Sequence, residues 1–208
     1  MFTDRHEAGK KLAEKLVQYQ GTDAVVFALP RGGVVVGYDV AKALALPLDS
    51  IAVRKIGHPL TPEYAIGVVD EHGATIFNEA EKRAANPEWL AKEIEAQKNE
   101  AQRRSATYRG TRPLYAIAGK TAIIVDDGIA TGLTMRLAVR AMKQRSAGKI
   151  VVAVPLAPPE SLQALKNEGA DEIVVLESPR DFLGAIGLHY VEFYQVEDDE
   201  VIKLLQSA

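Results

Sequence analysis

Two adjacent carboxylates, Asp126 and Asp127, come directly before a short stretch rich in glycine and threonine. A glycine such as Gly132 lets the backbone approach an anion closely, and the hydroxyls of Thr131 and Thr134 can donate hydrogen bonds to it. Two carboxylates would repel a phosphate alone. They suit a ligand whose sugar hydroxyls donate to them, or a metal ion that bridges to the phosphate. These residue types in this order therefore indicate a site for a phosphorylated sugar.

The segments on either side of these residues predict how they are positioned. Residues 122–125 are apolar and mostly β-branched, which is typical of a strand buried on both faces of a parallel sheet. Residues 135–145 have the apolar spacing of a helix. A helix start presents unpaired N–H groups and the positive end of the helix dipole, and both favour an anion. The alternative is a strand end with a turn-forming Asp-Asp-Gly and an ordinary helix cap.

The sequence VDDGIATGLT, residues 125–134, resembles the phosphoribosyl-pyrophosphate (PRPP) motif of the type I phosphoribosyltransferases. In that family the acidic pair holds the 2′- and 3′-hydroxyls of ribose, and the following loop wraps the 5′-phosphate. The resemblance implies that Asp126 and Asp127 take the first role, as catalytic residues that also face Mg²⁺. It implies that the loop residues bind the substrate; they are Gly128, Ala130, Thr131, Gly132, Leu133 and Thr134.

A second glycine-containing loop, Pro30–Gly33, lies between the apolar strand predicted at Ala24–Leu29 and a predicted helix. The same reasoning applies to it, because Gly32 and Gly33 allow close approach and Arg31 can grip phosphate oxygens in a bidentate manner. In type I phosphoribosyltransferases the corresponding loop binds the pyrophosphate of PRPP. The alternative is a tight turn with a solvated arginine.

Residues 48–56 are predicted to form another strand that delivers Arg54 and Lys55 at its carboxyl end. Open α/β sheets bind ligands at that end of their strands, so both cations are expected to bind the pyrophosphate. Lys55 resembles the pyrophosphate-contacting lysine of adenine-specific members. The alternative is a surface pair at a strand end.

Residues 63–69 and 74–78 predict a hairpin, which in this family is mobile and closes over PRPP. A helical insertion, residues 79–112, follows it and is interrupted near Pro87. One arginine of its basic end is expected to face pyrophosphate, although solvated surface is the alternative for all of them: Arg103, Arg104, Arg109 and Arg112.

The alternation of strands and helices predicts a parallel sheet with helices on both faces. The resemblance implies the same fold class, a doubly wound, mostly parallel α/β sheet plus a small hood, in a single domain spanning 1–208. Residues 177–197 resemble part of the hood of the 6-oxopurine members, in which Phe182 matches the aromatic residue that stacks on the base. The acidic residue expected further on is His189 here, and a core role is the alternative for Phe182.

Composition excludes several other classes of protein. The chain has no cysteine, which rules out disulfides, cysteine–zinc sites and thiol catalysis. Its net charge of −3 does not favour a nucleic-acid partner. It has no apolar run long enough to span a membrane, and its charged, amphipathic start is unlike a signal peptide, so a cytoplasmic protein is expected.

The resemblance implies an Mg²⁺-dependent enzyme of nucleotide metabolism that transfers the 5-phosphoribosyl group of PRPP to a nitrogenous, nucleobase-like acceptor, releasing pyrophosphate. Family members are commonly dimers or larger, so a homo-oligomer is expected. The acceptor stays open, because Ala130 matches the adenine-specific members whereas the hood resembles the oxopurine group. A PRPP- or nucleotide-binding regulator without transferase activity is the alternative. The chain lacks the glycine motifs of dehydrogenases and P-loop NTPases.

Overall fold

The computed structural model describes residues 1–179, 182 and 184–208, apart from the side chain of Glu63. Its strands are β1 (Val25–Ala28), β2 (Leu48–Ser50), β3 (Val53–His58), β4 (Thr61–Asp70), β5 (Thr75–Phe77), β6 (Thr121–Val125), β7 (Lys149–Leu156) and β8 (Glu172–Glu177). Its α-helices are α1 (Arg5–Lys15), α2 (Gly32–Leu44), α3 (Glu79–Ala84), α4 (Pro87–Arg109), α5 (Leu133–Gln144), α6 (Pro159–Glu168) and α7 (Asp198–Gln206).

The centre of the molecule is a five-stranded parallel sheet in the order β2-β1-β6-β7-β8. Its central strands are buried on both faces because their side chains are apolar, as in Val25–Ala28 and Ala122–Val125. Helices α1, α2 and α7 cover one face, and α5 and α6 cover the other. The predicted doubly wound α/β fold is therefore confirmed.

A second sheet of three antiparallel strands, in the order β3-β4-β5, stands beside the first. The prediction of one strand over residues 48–56 was wrong. Leu48 pairs in parallel with Val26 in the central sheet, whereas Val53 pairs antiparallel with Asp70 in the second. The sequence does not mark this change of sheet, because Ile51 and Ala52 are apolar and buried where the chain crosses.

The predicted hairpin is present as β4 and β5. Its turn is fixed by Asp70, whose carboxylate accepts hydrogen bonds from the backbone N–H groups of His72 and Ala74, both at 2.9 Å. Helix α4 begins at Pro87 because the side chain of Asn86 accepts from the N–H of Trp89, and proline needs no N–H partner at the first helical position. It then packs against the second sheet, with Leu90 buried among the side chains of β3, β4 and β5.

Asp198 has the residue type of an N-cap but is the first residue of the last helix, and Glu197 precedes it as the N-cap. The carboxylate of Asp198 accepts a hydrogen bond from the hydroxyl of Tyr108 on α4, at 2.7 Å. The single domain over 1–208, with its insertion at 79–112 and hood at 177–197, stays a prediction, and residues 180, 181 and 183 of that hood lie outside the described part. None of the described helices could cross a bilayer.

Candidate active site

A cavity of about 680 Å³ lies between the carboxyl ends of the central strands and the second sheet with α4. Ligands of doubly wound sheets bind at this edge. Nine of the residues predicted for the site line the cavity: Arg54, Lys55, Asp126, Asp127, Gly128, Ala130, Thr131, Gly132 and Thr134. Segments that are far apart in sequence therefore share one space.

The loop after β6 leads directly into the start of α5. The N–H of Ile129 donates to the carbonyl of Leu156 at 2.8 Å, which fixes the loop on the end of β7. Gly132 has a φ of +78°, a left-handed conformation that costs glycine little. Within the described residues, no protein acceptor lies within hydrogen-bonding distance of the backbone N–H groups of residues 130–134. These amides and the positive end of the α5 dipole can together bind a phosphate group.

The two adjacent aspartates have different surroundings. Asp127 is buried, and its Oδ2 accepts a 2.8 Å hydrogen bond from Nε of Arg5, a residue only 5% exposed. Arg5 also donates to the backbone carbonyl of Tyr194 at 2.8 Å and lies 3.8 Å from the centre of the Phe193 ring. Asp126 forms no ion pair among the described residues, although the charge of Lys55 acts on it from a greater distance; its Oδ1 accepts the N–H of Asp127 at 2.8 Å. Asp127 is therefore charge-compensated by the protein, and Asp126 is the carboxylate left for a ligand.

Electrostatics agrees with this division. Burial and the neighbouring Asp127 carboxylate raise the pKa of Asp126 well above that of an ordinary aspartate. Burial also raises the pKa of Asp127, but Arg5 opposes that shift through its charge and its hydrogen bond. Keeping the buried Asp126 ionised costs free energy, so its carboxylate is stabilised by a ligand that brings hydroxyl donors or a cation.

Arg5 was not identified from the sequence. It lies in an amphipathic helix that is far from Asp127 along the chain, and no motif surrounds it. The one available signal was its position: a positively charged residue on the apolar face of α1, next to the buried Ala8 and Leu12. A buried arginine must find an anion, and here that anion belongs to the candidate site.

The loop between β1 and α2 approaches the aspartates from the other side. Its Pro30–Arg31 peptide bond is cis. A Cβ on Gly32 would collide with the Asp127 carboxylate, and one on Gly33 would lie 2.8 Å from Cα of Asp126, so only glycine allows these loops to meet. The guanidinium of Arg31 does not line the cavity; it pairs with Glu197 at 3.3 Å and Asp198 at 3.7 Å.

Arg54 and Lys55 reach the cavity from β3, at the start of the antiparallel strand and not at the end of a parallel one. Nε of Arg54 donates to Oε1 of Gln97 at 3.1 Å. Arg104 of α4 also lines the cavity, and burial together with the charge of Arg104 lowers the pKa of Arg54. The three cations together suit a ligand with several negative charges.

One face of α4 forms a wall of the cavity through Trp89, Glu93, Gln97 and Arg104. Their separations of four, four and seven residues place them on the same side of a helix. Arg104 is one of the four arginines expected to supply a cation. The other three side chains were missed, because the mixed charge of this helix is typical of a solvated surface.

The side chains of two further predicted residues are not among the described ones that line the cavity. Leu133 packs against the second sheet beside Val68 and Ile76. The ring of Phe182 stacks on that of His189, with centroids 5.4 Å apart and planes at 10°. Stacking of Phe182 on a nucleobase stays a prediction.

Fold and cavity define a doubly wound α/β protein with a ligand site at the carboxyl ends of its strands. A profile of the phosphoribosyl transferase domain matches residues 2–177, and the chain belongs to this family. It is 40% identical over 210 residues to the Mycobacterium tuberculosis protein named "Putative phosphoribosyl transferase Rv0571c", a match over 100% of this chain. The chain spans 47% of that relative's length. Its structure resembles TT1426 from Thermus thermophilus, with 40% identity, a TM-score of 0.80, and coverage of 99% of this chain and 98% of that one.

Proposed function

We propose that the protein is a phosphoribosyltransferase that binds Mg-PRPP and transfers its 5-phosphoribosyl group to a nitrogenous, nucleobase-like acceptor, with release of pyrophosphate. The observation that carries the proposal is the meeting of free backbone amides, residues 130–134, with the unpaired carboxylate of Asp126 in one cavity of the described part of the chain. A phosphorylated sugar satisfies both, because its phosphate takes the amides and its hydroxyls donate to the carboxylate.

The 5′-phosphate is assigned to the amides of residues 130–134 and the hydroxyls of Thr131 and Thr134. The ribose diol is assigned to Asp126, with Asp127 holding the shape of the loop through Arg5. The glycines of the Pro30–Gly33 loop press against this pair and keep both carboxylates in place. A substrate fixed at both its phosphate and its diol presents C1′ in a defined position, which is the main contribution such a site makes to rate.

Pyrophosphate is assigned to Lys55, Arg54 and Arg104, and to Arg31 as predicted from the sequence. Arg31 must exchange Glu197 and Asp198 for phosphate oxygens to take this role. In the transfer, the C1′–O bond to pyrophosphate breaks and its electron pair leaves with pyrophosphate, while a bond forms between C1′ and the acceptor nitrogen. Fixed cations stabilise the charge that gathers on the leaving group, and C1′ becomes oxocarbenium-like.

The residues present fit Mg²⁺. This ion is usually held by one or two carboxylates together with substrate phosphates, and the aspartate pair supplies such a set with one member, Asp126, that pairs with no cation among the described residues. When bound, Mg²⁺ would neutralise pyrophosphate oxygens and help them leave. Homo-oligomerisation, a cytoplasmic location and a place in nucleotide metabolism stay predictions.

The proposal is tested by measuring PRPP binding by calorimetry and pyrophosphate release with a panel of purines, pyrimidines and small amines. Release that depends on Mg²⁺ and on one acceptor supports a transferase. Tight binding of Mg-PRPP with no release from any acceptor would instead identify a PRPP-binding regulator. No binding of PRPP at millimolar concentration would contradict both.

A further inference from the structure

We infer that the cavity-lining face of α4, with Trp89 and Glu93, is the acceptor subsite, and that the acceptor is a flat nitrogen heterocycle with a ring N–H. The assignment rests on the proposed function, since it names the second substrate of the same site. It gives α4 the role that the family resemblance implied for the hood.

The first argument concerns the proton of the acceptor. When a ring nitrogen forms a bond to C1′, its N–H proton must pass to a base. Among the described residues, three carboxylates line the cavity. The imidazole of His58 also lines it, but its Nδ1 accepts the N–H of Leu60 at 3.2 Å, so the neutral ring carries its proton on Nε2 and has no second acceptor. Asp127 is paired with Arg5, and Asp126 is assigned to the ribose diol, so Glu93 is the carboxylate left to accept this proton. Ala130, in the loop beside the aspartates, has no proton-accepting group.

The second argument concerns shape. Trp89 lies one helical turn before Glu93, so both side chains project from the same face of α4. Part of the Trp89 side chain packs on the apolar cluster that contains Leu90, and part lines the cavity with Pro59 and Pro62. A partly fixed indole in a cavity that two prolines also line is a surface on which a flat aromatic ring can stack. A carboxylate at its edge selects a ring that carries an N–H donor.

The third argument concerns the position of the Glu93 carboxylate. Its Oε1 accepts a 2.9 Å hydrogen bond from Nε2 of Gln97, and Oε1 of Gln97 accepts from Nε of Arg54. The carboxylate is therefore fixed through one oxygen, which leaves the other for a ligand. Through Gln97, the proposed proton acceptor is also linked to an arginine assigned to the leaving group, so one hydrogen-bonded chain spans both substrates.

Trp89 provides a direct test because it is the only tryptophan in the chain. Adenine, hypoxanthine and uracil are titrated, with tryptophan fluorescence as the readout, into protein saturated with ribose 5-phosphate and magnesium pyrophosphate. We expect saturable quenching by at least one base. The affinity should fall by about tenfold or more in Glu93→Gln and for the bound base methylated at the reacting nitrogen. Glu95→Gln is the matched control, because Glu95 is exposed and pairs with Lys98.

Absence of quenching by every base, or equal affinity in Glu93→Gln and the wild type, would overturn the inference. The same variants are then compared in the release assay with the base that binds. Trp89→Leu and Glu93→Gln should keep the wild-type affinity for Mg-PRPP and lose about tenfold or more of base-dependent release. Loss of release in Phe182→Leu but not in Trp89→Leu would place the acceptor at the hood and overturn the inference. Failure of the wild type to bind PRPP would contradict the proposed function itself.

Discussion

The two walls of the cavity are built in different ways. One wall consists of loops at the carboxyl ends of β1 and β6, and each loop is a continuous stretch of sequence. The other consists of side chains from β3 and one face of α4, which are separated by tens of residues. The first wall offers backbone amides and the second offers side-chain charges and a tryptophan. In the proposed function, the sugar phosphate is held by the wall that a sequence motif encodes, and the acceptor by the wall that separate segments build.

The first wall also contains a contrast between neighbours. Asp126 and Asp127 are identical in type, yet of the two only Asp127 has a buried arginine as its partner among the described residues. Removing Arg5 should produce the largest loss of unfolding free energy. Arg5→Met leaves a buried charge unpaired and should cost about 3–5 kcal/mol of unfolding free energy at pH 7, as measured by urea denaturation.

The pH dependence of Arg5→Met follows from the same pair. Burial already raises the pKa of Asp127, and without Arg5 it rises further. A carboxyl whose pKa is raised in the folded state is more stable protonated, so the loss should shrink as pH falls from 7 towards 5. Arg103→Met, which removes an exposed pair with Glu100, should leave the free energy of unfolding nearly unchanged at either pH. Equal losses in the two variants would show that Arg5 does not compensate Asp127.

Asp126→Asn should lower the activity with PRPP without lowering the stability of the fold. Loss of a charged acceptor for the ribose diol should lower kcat/KM for PRPP by about 100-fold, equivalent to roughly 2–3 kcal/mol. Because burial and Asp127 raise the pKa of Asp126, its neutral replacement should keep or increase the melting temperature. A variant with wild-type turnover would contradict the role of Asp126.

Much of the first wall could be predicted from sequence, because a buried strand, an acidic pair and a glycine loop are local patterns. Arg5 could not, since its partner is set by how α1 packs on the sheet. The β2–β3 break was missed for a similar reason. The two strands are joined by the buried, apolar Ile51 and Ala52, and only pairing with β1 or β4 decides the sheet of each strand. The α4 wall depends on which face of a mixed-charge helix turns inward, and its sequence does not indicate that face.

Gly132→Ala tests the conformation of the phosphate loop. The nearest atoms to an added Cβ would be 3.6 Å away, so the methyl group fits, and the cost comes from the φ of +78°. That cost is about 1–2 kcal/mol. We expect about tenfold weaker binding of ribose 5-phosphate by calorimetry, with Gly110→Ala, at a φ of +59° outside the cavity, as a control for strain alone. Equal affinity in Gly132→Ala and the wild type would mean that the loop does not hold the phosphate in this conformation.

Gln97→Leu should have the smallest effect, because it removes the link between Arg54 and Glu93 while leaving both charges in place. Losing one such hydrogen bond costs about 1 kcal/mol, so kcat should fall about fivefold with little change in the affinity for PRPP. Steady-state kinetics and calorimetry on the same preparation separate the two quantities. A fall in PRPP affinity with unchanged kcat would place Gln97 in the ground-state binding of PRPP.

The central claim is that a sugar phosphate binds at the amides of residues 130–134 beside Asp126. Titration of ¹⁵N-labelled protein with ribose 5-phosphate, followed by amide chemical shifts, tests it most directly. The account predicts saturable shifts that are largest at Thr131, Gly132, Leu133 and Thr134 and that weaken in Asp126→Asn. Largest shifts elsewhere in the chain, with these four amides unmoved, would contradict it.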